Sequence, residues 1–236
     1  TGPMTRRLSL AWPDPLPFEA RDGRSIRLLA ASDERDPALE QAINRERLAP
    51  IDLVVGCGDL APERLAFLGD AFQAPLVYVR GNHDRGGSWP SPRGLPVASV
   101  GIDADTLPGI PLLALPWPTG DRDPAIRDEG AAWRQVLSEL KLRLLARPRV
   151  PWLVFSHVPP RGAGDTPTDA YHVGFAAYRV ALDRLAPPLW LHGHTNVAAS
   201  PAWQLTCGPT TVVNVTGSVL VELVPPLAEA VAQRED

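Results

Sequence analysis

Residues 76–84 read Leu-Val-Tyr-Val-Arg-Gly-Asn-His-Asp. Four apolar residues with branched or aromatic side chains, closed by a turn dipeptide, predict a short strand buried on both faces. An imidazole and a carboxylate follow at its end. The same pattern recurs four more times. Ile26-Arg27-Leu28-Leu29-Ala30-Ala31 runs into Ser32-Asp33-Glu34-Arg35, and Ile51-Asp52-Leu53-Val54-Val55 into Gly56-Cys57-Gly58-Asp59. Trp152-Leu153-Val154-Phe155 runs into Ser156-His157-Val158-Pro159-Pro160, and Leu189-Trp190-Leu191 into His192-Gly193-His194-Thr195-Asn196.

Between these strands lie helical patterns. Leu39, Ala42 and Ile43 share a helix face, as do Leu65, Leu68 and Phe72, while Trp133, Val136, Leu137, Leu140 and Leu144 mark a longer helix that Pro148 must end. Strand, helix, strand, helix, strand predicts βαβ units and a mainly parallel sheet. Two other stretches carry more strand than helix. Gly101-Ile102 to Leu112-Leu113-Ala114-Leu115, and Thr211-Val212-Val213-Asn214-Val215 followed by Val219-Leu220-Val221, predict hairpins and a second sheet.

The composition frames these elements. With 44% apolar and 21% charged residues among 236, the chain has a globular balance and enough length for a real core. Proline, at 27 residues, is about twice as frequent as the usual ~5%, so stiff loops are expected. The proline clusters read as loops inside one domain covering 1–236, with residues 1–3 an expression remnant ahead of Met4 and residues 4–24 an N-terminal extension. A net charge of -4 without a basic run disfavours nucleic acid as a partner. No apolar run approaches membrane-spanning length, and the stretch 8–12 is too short for a signal-peptide core. Cys57 and Cys207 form neither a CxxC motif nor a set of pairs, which points to a reducing, cytoplasmic setting.

In an open α/β sheet, ligands bind beyond the carboxyl ends of the strands, so the five polar clusters should converge on one site. Each residue alone has a plainer reading: Asp33 or Asp59 as a cap or turn residue, Gly81-Asn82 as a turn, His157 as a hydrogen-bonded core histidine. Their joint occurrence at successive strand ends favours chemistry. Asp, Asn and His without thiolates are oxygen and imidazole donors, suited to manganese, iron or zinc in a working rather than a structural site.

With these motifs in order, the chain resembles the calcineurin-like metallophosphoesterase superfamily. The resemblance rests on Gly58-Asp59, Gly81-Asn82-His83-Asp84, Ser156-His157-Val158-Pro159-Pro160 and Gly193-His194, and covers the chain from about Ile26 to Val224. It implies a four-layer α/β/β/α sandwich, two mixed β-sheets flanked by helices. It further implies that Asp59 bridges two metal positions and that Asn82, His157 and His194 complete the second. His83 would protonate the leaving group or stabilise the transition state, with Asp84 orienting it, and His172 would contact the phosphate.

The sequence departs from the family at the first metal position. Where the family has imidazoles, Arg35 and Asn196 stand beside Asp33. A guanidinium cannot lose its proton to ligate a cation, so an ion pair between Arg35 and the neighbouring carboxylates is expected in place of that metal. The resulting expectation is one divalent metal per chain, manganese with iron or zinc as alternatives, and a small-molecule phosphate ester as substrate. Arg35, Asn82, His172 and Asn196 would contact that substrate. Two other readings stay open: a degenerate relative that binds a nucleotide or phosphorylated ligand without turnover, and a metal-free scaffold for protein contacts.

Overall fold

The computed structural model describes residues 5–84, 89, 101–103, 106–119, 126–145, 150–197 and 202–226. The first half holds β1 (Arg6–Ala11), α1 (Leu16–Glu19), β2 (Ile26–Ser32), a 3-10 turn (Pro37–Glu40), α2 (Ala42–Leu48), β3 (Leu53–Cys57), α3 (Pro62–Phe72) and β4 (Leu76–Val79). The second half holds β5 (Gly101–Asp103), β6 (Leu112–Leu115), α4 (Glu129–Leu145), β7 (Leu153–Ser156), α5 (Ala176–Leu185), β8 (Leu189–His192), β9 (Gln204–Cys207), β10 (Thr210–Asn214) and β11 (Gly217–Val224).

The strands form two mixed sheets, ordered β1-β11-β2-β3-β4 and β5-β6-β7-β8-β10-β9. Strand alternation explains how they stack. Leu28 and Ala30 of β2 face a core shared with Leu153, Phe155 and Leu191 of the other sheet, with Trp12 and Phe18 buried at its rim. Leu29 and Ala31, on the opposite face, pack with Leu65 and Leu68 of α3. Val154 and Trp190 turn outward to meet Val136 of α4 and Leu182 of α5. Three apolar layers between four structural ones make the α/β/β/α sandwich. Each fully buried aliphatic or aromatic side chain contributes about 1.5–3 kcal/mol.

Helix limits follow from local chemistry. Pro62 opens α3, where its missing N–H is no loss, and Gln73 closes it in the left-handed conformation at φ 50°. The helix predicted from Trp133 onward is α4; its expected stop, Pro148, lies outside the described residues, as do 1–4 and 90–100. No helix among the described residues is long and apolar enough to cross a membrane.

Three sequence expectations are corrected. The five buried strands do not share one parallel sheet: β2, β3 and β4 lie in the first sheet and β7 and β8 in the second. The cause is the long connection after β4, which supplies β6 as the parallel neighbour of β7. Second, β10 and β11 are not a hairpin. β10 runs antiparallel to β9, whereas Gly217, at φ 81°, turns the chain across to the first sheet, where β11 lies between β1 and β2. Third, part of the supposed N-terminal extension is β1, paired in parallel with β11 from Arg6 to Ala11.

Candidate metal centre

The ends of β2, β3, β4, β7 and β8 meet at one rim of the sandwich, because the two sheets face each other and their parallel strands end on the same side. Asp33, Asp59 and His194 all take positive φ angles, 57°, 54° and 67°. This region is uncommon outside glycine, and it turns these side chains back over the strand ends. Asp59 lies one residue beyond Gly58 and accepts from the His83 backbone N–H at 2.9 Å. Asp33 accepts from the His194 backbone N–H at 2.9 Å, and also from the Ser32 hydroxyl. The Asp33 bond thus ties loops from opposite sheets, and the Asp59 bond ties two loops of the first sheet.

His157, wholly buried, is the centre of this arrangement. Its Nδ1 donates to the Cys57 carbonyl at 2.8 Å, which leaves Nε2 facing two oxygens: Asn82 Oδ1 at 2.9 Å and Asp59 Oδ2 at 3.3 Å. Ligand atoms of Asp33, Asp59 and His157 lie within 4.8 Å of one another. Carboxylate, amide and imidazole donors gathered at this spacing fit a divalent cation of intermediate hardness. In the metal-free protein a proton on Nε2 does the cation's electrostatic work.

The ionisation of the cluster follows from its contacts. Burial alone would depress His157, but the hydrogen bond and charge of Asp59, with the charge of Asp33, raise it from 6.5 to about 9. For Asp59, burial pushes upward and is outweighed by the bond and charge of His157, so its carboxyl sits below the ordinary value. His194 is lowered to about 3 by burial and then by the charge of His157, and is therefore a neutral ring. Its Nε2 donates to the Tyr171 carbonyl at 3.0 Å, which makes Nδ1 the nitrogen with the free lone pair. A ligating histidine is commonly held in this way through its other nitrogen.

The remaining expected residues divide. Asn82 is buried within the cluster, and the His194 ring centroid lies 4.9 Å from that of His157. His83 is exposed at the mouth, with Nε2 3.3 Å from the Tyr171 hydroxyl. Asp84 does not take the expected role of orienting His83. Its Oδ2 instead accepts from the backbone N–H groups of Asp59 (2.7 Å) and Gly81 (2.8 Å), joining two loops. Burial raises the Asp84 carboxyl, and those two N–H groups oppose the rise. The expected ion pair of Arg35 with Asp33 and Asp59 does not form: Arg35 is exposed, and Asp33 is already committed to Ser32 and His194. His172 lies beside the cluster, its ring centroid 5.2 Å from that of His194 and its Nδ1 bonded to Asp169. Asn196 is exposed on the loop after His194. His192 is buried, with Nδ1 on the Gly193 carbonyl.

Sequence reasoning missed Tyr171, which touches Asn82, His83 and His194 at once. The signal was its loop: Tyr171-His172-Val173-Gly174 resembles one that faces the substrate in some members of the family, but it pointed to His172. Gly81 has a plain steric reason: a Cβ there would run into Asp59 Oδ1 and His157 Cε1. Gly81→Ala is accordingly expected to lower unfolding free energy by about 1–3 kcal/mol in urea, and to weaken manganese binding by calorimetry. An unchanged affinity would show that the crowding is relieved without moving the ligands.

The family model of calcineurin-like phosphoesterases matches residues 32–198, a span that includes all five loop ends. No curated protein matches the chain significantly. One solved chain, 16% identical, superposes with a TM-score of 0.52 over 81% of this chain and 91% of its own length, a likeness of fold. The protein TT1561 of Thermus thermophilus is also 16% identical, with a TM-score of 0.45 over 81% of this chain and 89% of that one. The purple acid phosphatase PPD1 of yellow lupin is 10% identical, with a TM-score of 0.46 over 85% of this chain and 44% of that one.

Proposed function

This chain belongs to the calcineurin-like phosphoesterase family, and from that membership we propose that it hydrolyses phosphate mono- or diesters with one divalent metal, manganese before iron or zinc. Membership supports metal-dependent phosphoester hydrolysis in general terms. The observation that carries the more specific reading is the convergence of Asp33, Asp59 and His157 within 4.8 Å, with Asn82 Oδ1 alongside. These residues would hold the metal, with His194 contributing Nδ1. A divalent cation held there would supply Lewis-acid chemistry toward a phosphate ester and its attacking water.

The chain's own residues do the rest. His83, exposed at the mouth, delivers a proton to the leaving oxygen. Arg35, also exposed and free of Asp33, presents a guanidinium to phosphoryl oxygens, a role a planar fork of donors suits. Asn82, His172 and Asn196 complete the substrate contacts. The substrate is a small molecule, and the free thiols Cys57 and Cys207 accord with a cytoplasmic setting.

Hydrolysis of an aryl phosphate ester, with and without manganese, tests this directly. Turnover that chelation removes and that His83→Ala lowers by about 10²–10⁴-fold is the expected result. Arg35 and Asn196, standing where the family has imidazoles, favour the alternative of a phosphate-binding protein without turnover. Phosphate binding with no hydrolysis under any divalent metal would establish that alternative.

A further inference from the structure

The side-chain amide of Asn82 is held at both ends. Its Oδ1 faces His157 Nε2 at 2.9 Å, and its Nδ2 donates to the Tyr171 hydroxyl. The same hydroxyl lies 3.3 Å from His83 Nε2. One phenol oxygen therefore links the residue on the metal side of the site to the residue on its solvent side. An amide can turn over and exchange its oxygen for its nitrogen; a fixed acceptor for Nδ2 prevents this and keeps Oδ1 among the donors.

Tyr171 is itself rigidly placed. Asp169 accepts from its backbone N–H at 2.8 Å, and the Asp169 carbonyl accepts from His172 (3.1 Å) and Val173 (2.9 Å). Asp165 ties Gly162 and Gly174 together through its two carboxylate oxygens, at 2.9 and 2.8 Å. From outside, Arg127 and Arg161 both donate to the Gly174 carbonyl, at 2.8 and 3.2 Å. A loop this heavily cross-tied carries its tyrosine as a fixed post. The ring also stands 5.2 Å from that of His194, whose Nε2 it engages through its carbonyl.

We propose that Tyr171 is a positioning residue: its hydroxyl orients the Asn82 amide toward the metal site and the His83 ring toward the substrate. This rests on the hydrolase reading above. Outer partners of this kind are worth about 10–100-fold in metal affinity or activity.

Tyr171→Phe keeps the ring and removes only the hydroxyl. The expected result is a kcat about 10–100-fold lower with KM for an aryl phosphate ester within about twofold, about tenfold weaker manganese binding by calorimetry without substrate, and an unchanged melting temperature in chelator. A merely structural tyrosine would instead move the melting temperature and leave the kcat and KM pattern untouched. Activity and manganese affinity both within twofold of the parent would overturn the proposal. A parent that neither binds manganese nor hydrolyses the ester overturns the hydrolase reading alone, and the Asn82 side-chain amide resonances of the metal-free protein then decide. Their displacement in Tyr171→Phe supports the orienting contact, and unchanged resonances overturn it.

Discussion

Asp59→Asn is expected to abolish manganese binding, to lower ester hydrolysis by at least about a hundredfold, and to destabilise the metal-free fold. Asp59 supplies the charge that lets His157, wholly buried, carry a proton at neutral pH. Asparagine keeps the size and one acceptor oxygen for the His83 N–H, but it brings no charge. Burial, the largest single influence on His157, is then opposed by the charge of Asp33 and the bond to the Cys57 carbonyl without the charge of Asp59, and the imidazole pKa falls. Breaking a buried pair by removing one partner costs about 3–5 kcal/mol; the retained oxygen puts this substitution near the lower figure. Urea unfolding in chelator, ring resonances of His157 against pH, and manganese calorimetry read the three effects. Manganese affinity within tenfold of the parent would remove Asp59 from the ligand set.

The second large effect is on pH dependence. In the metal-free protein His157 titrates at about 9, against about 6.5 in an unfolded chain. The folded state binds this proton more tightly, so the added stability is complete below pH ~6.5 and disappears as pH rises through 9. Its size is on the order of 3 kcal/mol. On the acid side Asp59, held below its ordinary value, contributes above about pH 4 and stops contributing as pH falls further. The two are halves of one interaction and are not summed. Metal binding has the opposite alkaline trend. Ligation at Nε2 displaces the same proton, so apparent manganese affinity should climb about tenfold per pH unit and level off near the His157 pKa. His157→Gln should flatten the alkaline limb of the stability curve and abolish the affinity slope. Urea midpoints that stay level between pH 6.5 and 9.5 in the parent would contradict the proton assignment.

Much of the architecture was legible because five strands advertise themselves by short branched runs, and because histidines and aspartates follow them at fixed places. Residues 76–84 alone contain a strand, a turn and three site residues. The division of strands between two sheets was not legible: Val154 and Val55 look alike in sequence, and only their neighbours decide the sheet. β1 could have been read, since Arg7-Leu8-Ser9-Leu10 alternates with period two, but the prolines that follow favour a loop reading of the whole segment. At the site, residue types revealed the chemistry of the donors but not their hydrogen-bond directions. Asp84 looked like the partner of His83 because it is adjacent, yet adjacent residues in a tight turn point apart, and its carboxylate reaches backbone N–H groups instead. Arg35 looked like a partner for Asp33 until the left-handed turn at Asp33 sent the chain toward solvent. Tyr171 stands in a stretch, Tyr171-His172-Val173-Gly174, whose likeness to a substrate-facing loop pointed to His172 and not to the tyrosine. Its role comes from a loop fold that only tertiary contacts define.

β11 is the last strand described, and it lies between the first two. A ribosome emits β1 and β2 long before the strand that joins them, so until β11 follows both expose open edges, the condition that invites misassociation. The seam closes only when Gly217–Val224 arrives, in parallel with one neighbour and antiparallel to the other. The guanidinium of Arg6 then reaches the carbonyls of Asn214 and Thr216 and fastens β1 to the end of β10 and to the turn that leads into β11. A nascent chain halted before Gly217 therefore has every expected metal ligand yet lacks the strand that unites its first sheet.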